Sequence, residues 1–63
     1  MAIDLNAFLE ALSNEKVVVK KEAAKAVLNY RKTRDPYSWN ESLKRIVALG
    51  ISERRLNKYF LNY

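Results

Sequence analysis

The chain has 63 residues, 49% of them hydrophobic and 30% charged, with one Gly and one Pro; this suits a single compact helical domain and excludes a disordered tail. It contains no cysteine and no histidine, which excludes disulfides, thiolate metal sites and the usual general base. Twelve Lys and Arg against seven Asp and Glu give +5 and a pI of about 9.8, so a polyanionic partner is the first expectation.

That charge is unevenly spread. Residues 1–15 hold Asp4, Glu10 and Glu15 and no Lys or Arg, whereas residues 16–63 hold twelve cations against four acids, a net +8. Asp4 is placed to cap a first helix over 4–13, with Leu5, Phe8, Leu9 and Leu12 on one face and Ser13-Asn14 ending it. This acidic helix is expected to cover the core and to stay away from phosphates. Val17-Val18-Val19 has strand propensity, but a lone strand has nothing to pair with. Residues 16–19 therefore read as an extended connection into a second helix over 20–34.

In that second helix Val19, Ala23, Ala26, Val27 and Tyr30 gather on one side. Lys21, Lys25 and Lys32 line the other, within an arc of about 40° at 100° per residue. The small residues at 23, 24 and 26 would let another helix approach closely. The lysine stripe is either a solvated outer face or a ridge that tracks phosphates. Leu28 stands among these lysines and could mark a protein contact. Pro36 disfavours helix at Asp35, so the second helix ends by about Arg34. Ser38 as N-cap with Glu41 three residues on fits a capping box, with Asn40 as the alternative cap, and starts a third helix over 39–49. Trp39, Leu43, Ile46 and Val47 share one face, which makes Trp39 a core anchor in preference to a base-stacking platform.

The only glycine, Gly50, lies between Leu49 and Ile51. It suits the left-handed conformation that ends a helix, with Ser52 as the N-cap of a fourth helix over 52–62. There Leu56, Tyr59, Phe60 and Tyr63 recur at i, i+3, i+4, i+7. Arg54, Asn57, Lys58 and Leu61 occupy the opposite face, with Arg55 and Asn62 on its flank. This mixture is what major-groove reading uses: Arg or Lys for guanine and phosphate, Asn for adenine, an apolar group for the thymine methyl. Backbone N–H groups at the start of the helix, by Ser52, favour a phosphate. The expected fold is all-α: a small bundle of about four short helices, one domain over 1–63, with a C-terminal helix-turn-helix-like hairpin.

The stretch 42–60 resembles the helix-turn-helix family of DNA-binding proteins. Ile46, Leu49, Gly50, Ile51, Leu56 and Tyr59 stand where that family places its packing residues and turn glycine. Leu49-Gly50-Ile51-Ser52 followed by Leu56 is similar to the C-terminal helix-turn-helix of factor-for-inversion-stimulation proteins. The resemblance implies a small DNA-binding protein of a phage or mobile-element kind, acting in transcription regulation, with residues 52–63 as its recognition helix. It also implies a homodimer, since such proteins usually dimerise. Two positions depart from the family pattern: Ile46 stands where alanine is preferred, and Arg45 where a buried apolar residue is usual. A bulky Ile at the crossing would splay the two helices or change their angle.

Candidate nucleic-acid-binding residues are therefore Ser52, Arg54, Arg55, Asn57 and Lys58, backed by Lys21 and Lys25. The alternative is a protein-interaction module that binds an acidic partner, or self-associates through the aromatic C-terminus. No catalytic constellation, metal-ligand spacing or glycine-rich phosphate loop is present, so neither an enzyme nor a cofactor is expected. Nor is there a run of apolar residues long enough for a membrane span or signal peptide, and the cytoplasm is the default location.

Overall fold

The computed structural model describes residues 3–62. It contains four α-helices and, among the described residues, no strand: α1 Leu5–Ala11, α2 Val17–Thr33, α3 Pro36–Ala48 and α4 Glu53–Leu56, the last continued by a 3-10 turn over Asn57–Tyr59. The chain is the small all-α bundle expected. Three helix boundaries differ from the ones expected.

In α1 the Asp4 side chain accepts a hydrogen bond from the Ala7 amide at 3.0 Å. The helix closes at Leu12, where the Ser13 hydroxyl donates to the Glu10 carbonyl at 2.8 Å. The first difference follows, because Val17–Val19 form the first turn of α2 instead of an extended connection. The Lys16 carbonyl accepts from the Val19 and Lys20 amides, both at 3.0 Å, and so starts the helix without a side-chain cap. Branched side chains lower helix propensity only slightly. Burial of Val19 outweighs that, while Val17 and Val18 remain exposed.

At its far end α2 stops on Arg34, a non-glycine residue with φ of 53° whose amide donates to the Tyr30 carbonyl at 2.8 Å. The Thr33 hydroxyl donates to the Asn29 carbonyl at 3.0 Å and accepts from the Asp35 amide at 3.2 Å, which fixes this two-residue turn. The second difference is the start of α3. Asp35, not Ser38, is the N-cap: its carboxylate accepts from the Tyr37 amide at 3.1 Å, and Pro36 occupies the first helical turn. Proline fits there because the missing N–H would have no helical partner, and it forces its predecessor into the extended conformation an N-cap needs. Ser38 instead accepts from the Asn29 amide side chain at 2.8 Å, tying α3 to α2. Glu41 pairs with Lys44 at 3.1 Å.

The turn after α3 is as expected. Gly50 has φ of +111°, and its amide donates to the Val47 carbonyl at 2.9 Å. Ile51 turns back into the core.

The third difference is the largest. The helix expected over 52–62 lasts one α-turn and one 3-10 turn, and Phe60 is extended at φ −68°, ψ 139°. Ser52 makes no side-chain capping bond. Two residues of α3 pull the backbone out of helical form. The Trp39 indole N–H donates to the Tyr59 carbonyl at 2.7 Å. The Asn40 side chain donates to the Leu61 carbonyl at 2.7 Å and accepts from the Leu61 amide at 2.8 Å. Of the apolar stripe expected here, Leu56 and Tyr59 are buried and Phe60 is half-buried; Tyr63 lies outside the described residues.

The core sits where α1, the α2–α3 pair and the C-terminal segment meet. Trp39, Leu43 and Ile46 of α3 are fully buried against Ala23, Ala26 and Val27 of α2. Small side chains on α2 thus face large ones on α3, which keeps interior packing dense. Phe8 lies edge-on to Trp39, ring centroids 4.9 Å apart, and to Tyr59 at 5.2 Å; Tyr30 tilts onto Trp39 at 5.4 Å. Trp39 is therefore the core anchor expected from its spacing. Ile46 is accommodated inside, while Arg45 stays on the surface, its Nε donating to Glu22 at 3.0 Å and one terminal nitrogen donating to the Ser42 hydroxyl at 3.1 Å.

Candidate nucleic-acid interface

The positive charge of this chain is concentrated on α2 and its two caps. Between residues 16 and 34 stand Lys16, Lys20, Lys21, Lys25, Arg31, Lys32 and Arg34, with Glu22 as the only acid, a net +6 on one rod. All seven cations are exposed. Glu22 does little to offset them. Its carboxylate faces α3, held by Arg45 at 3.0 Å, and reaches Lys25 only at 3.9 Å.

Helical geometry sorts these groups. Lys21, Lys25 and Lys32 share one narrow arc of about 40° and climb the axis in steps of about 6 and 10 Å. Leu28 lies about 20° beyond one edge of that arc and Val17 about 40° beyond it, 64% and 62% exposed. This face is opposite the Ala23, Ala26 and Val27 face that packs on α3, so it is turned away from the core. Among the described residues, no ion pair engages Lys16, Lys20, Lys21, Arg31 or Lys32.

The C-terminal candidates divide differently. Arg54 and Asn57 are exposed on the short α4 and its 3-10 continuation, and Ser52 is exposed beside them. Lys58 is exposed as well, its ammonium 5.4 Å from the Tyr59 ring centroid. Arg55 has another task. One terminal nitrogen donates to Glu15 at 2.7 Å and the other to the Ala11 carbonyl at 2.9 Å. It thus satisfies a carbonyl left open at the end of α1 and ties α4 to the corner between α1 and α2. Two of its five N–H donors are thus committed, so Arg55 acts as a structural clamp while its exposed side chain keeps donors for a further contact.

The Lys21–Lys25–Lys32 ridge and the group Arg54, Asn57 and Lys58 stand on different elements, α2 and the C-terminal turns, and the ridge carries the more cations. Lys21 and Lys25 stand out by their helical spacing. Lys16, Lys20, Arg31 and Arg34 were missing from the candidate set, although counting charges over 16–34 would have found them. Arg34 carries a further feature that no sequence pattern announces: its guanidinium lies over the Tyr30 ring, 5.7 Å from the centroid.

Among the described residues no helix is long and apolar enough to cross a membrane. In comparisons with known proteins, no family model, curated protein or solved structure matches the chain.

Proposed function

We propose that this protein binds duplex DNA, chiefly through its phosphates, using the outer face of α2. The observation that carries this reading is the seven-to-one ratio of cations to acids between residues 16 and 34. An evenly mixed solvated surface would carry acids on the same arc, and here the single acid is turned toward α3. Arg54, Asn57 and Lys58 form a smaller second patch suited to flanking contacts. The shortness of α4 argues against deep base reading in the major groove, where three or four side chains of one continuous helix normally reach base edges. The reading is therefore of modest sequence preference and strong salt dependence. Neutralising three to five phosphates gives a log–log slope of affinity against salt of about −3 to −4.5. Fluorescence anisotropy with a labelled duplex across a salt series tests it; a flat salt response, or no binding at low salt, would sink it.

Exposed Leu28 and Val17 beside the same arc favour a second reading, in which an acidic protein groove or a second copy of the chain covers α2. Sedimentation of the pure protein, with and without Leu28→Asp, separates self-association from DNA binding.

A further inference from the structure

A cleft of about 320 Å³ opens between the end of α2 and the C-terminal segment, lined by Tyr30, Arg34, Pro36, Phe60, Leu61 and Asn62. Its volume lies at the lower end of the range for small-ligand pockets, roughly 300 to 1,000 Å³. Its walls are of unusual composition. Tyr30, Phe60 and Leu61 are half-buried, so each offers apolar surface at the mouth while resting on the core. Arg34 supplies a planar cation already placed over Tyr30 at 5.7 Å, and, among the described residues, no carboxylate pairs with it. Its neighbour Asp35 is occupied in capping α3 at the Tyr37 amide. Asn62 is exposed on the rim and carries both donor and acceptor groups.

We propose that this cleft takes one unpaired nucleobase together with its phosphate, so that the protein prefers single-stranded over double-stranded nucleic acid at this end of α2. The inference rests on the phosphate-binding reading of α2, which a duplex also satisfies, and adds a site that only an unpaired base can fill. Sequence-tolerant binding of single strands combines a cationic track with aromatic or guanidinium surfaces on which bases stack. Here Arg34 is the cation that lines the cleft, with Arg31 on the flank of the same last turn and Lys32 on the opposite face of α2, and the stacking surfaces stand beside Arg34. The carbonyl end of a helix carries partial negative charge and repels an anion; the full charge of Arg34, which lines the cleft, exceeds that roughly half a charge. A base in a duplex has both faces covered by its neighbours and cannot enter, so only an end, a gap or a melted stretch would fit. An acidic peptide would satisfy Arg34 but would leave the ring surfaces without a stacking partner, which is why the base is favoured.

The test compares a thymidine oligonucleotide of about eight residues, within the usual site size, with a duplex of the same length, by anisotropy at equal salt. Arg34→Gly is the informative variant, because a left-handed φ favours glycine and folding should survive; unchanged Trp39 emission would confirm that. The wild-type chain should prefer the single strand, and Arg34→Gly should reduce single-strand affinity by roughly tenfold while lowering duplex affinity only as the loss of one surface charge does. Phe60→Leu, which keeps apolar bulk and removes the ring, should also reduce the preference, and Arg34→Lys should restore it only in part. Equal binding of both forms, or a preference that survives Arg34→Gly, would overturn the cleft proposal and leave the α2 reading standing. Displacement of the oligonucleotide by a glutamate-rich peptide that binds more tightly at equal charge would also overturn it, in favour of a protein occupant. Failure of both nucleic acids to bind at low salt would instead remove the α2 reading, and this inference with it.

Discussion

The side chain of Asn40 and the backbone of Leu61 exchange two hydrogen bonds, at 2.7 and 2.8 Å, so that one amide group acts as a neighbouring strand would. Asn40 is 8% exposed, so both bonds are largely shielded from water and leaving either partner unmet is costly. Asn40→Ala should destabilise the fold by about 2 kcal/mol, a fall in Tm of roughly 8 to 16 °C for a domain this small. Asn40→Asp keeps the acceptor, loses the donor and sets a carboxylate against the Leu61 carbonyl, so it should be no better. A thermal melt in which Asn40→Ala behaves like the wild type would show that the C-terminal segment is not held by this pair.

Gly50→Ala isolates a backbone effect. A β-carbon at Gly50 would meet nothing within 4 Å, yet φ is +111°. The cost is therefore purely conformational, on the order of 1 kcal/mol. Chemical denaturation should show a lower midpoint with an unchanged slope. A changed slope would instead signal a looser native or denatured state.

Arg55 and Arg54 are neighbours with opposite expected phenotypes. Arg55→Ala loses the ion pair to Glu15 and the bond to the Ala11 carbonyl. The two side chains are 45% and 28% exposed, so solvent screening holds the ion pair to about 0.5 to 1 kcal/mol. Arg54→Ala should leave stability unchanged. A double-mutant cycle with Glu15→Gln measures the pair directly; zero coupling would remove Arg55 from its role as a clamp.

On the DNA reading, Lys21→Ala, Lys25→Ala and Lys32→Ala should each reduce the magnitude of the salt slope by about 1 and weaken all duplex sequences alike. Arg54→Ala and Lys58→Ala should have smaller effects, because their patch is sparser. Substitutions on the α2 ridge that leave the slope untouched would shift the weight to the alternative reading, in which Leu28→Asp is the damaging change.

Much of the fold was legible because its periodicities are strong. Trp39, Leu43 and Ile46 recur at helical spacing and are fully buried, and the lone glycine marked its turn correctly. The start of α2 is not legible locally, because three successive valines report strand propensity, while burial of Val19 is a tertiary fact. Asp35 was legible in principle: a proline at 36 is a good first helical residue, and the capping box at Ser38 competed with it for the same boundary. The early end of α4 could not be read, since the groups that stop it, Trp39 and Asn40, lie 20 and 21 residues from their partners. For the candidate interface, the lysine stripe followed from spacing alone. The clamping role of Arg55 did not, because its acceptors are 40 and 44 residues away.

The bond from Trp39 to the Tyr59 carbonyl has a kinetic consequence. Helices α2 and α3 are sequence neighbours joined by a two-residue turn, so their pairing closes a short loop and can form early. The C-terminal segment has only distant partners and should dock afterwards, giving high φ-values at Ala26 and Leu43 and low ones at Leu56 and Tyr59. Because the single tryptophan belongs to the early hairpin and binds the late segment, its emission should record both events. In a stopped-flow trace, burial of the ring and capture of its N–H would then separate wherever docking of the tail is slowed, as Asn40→Ala should slow it.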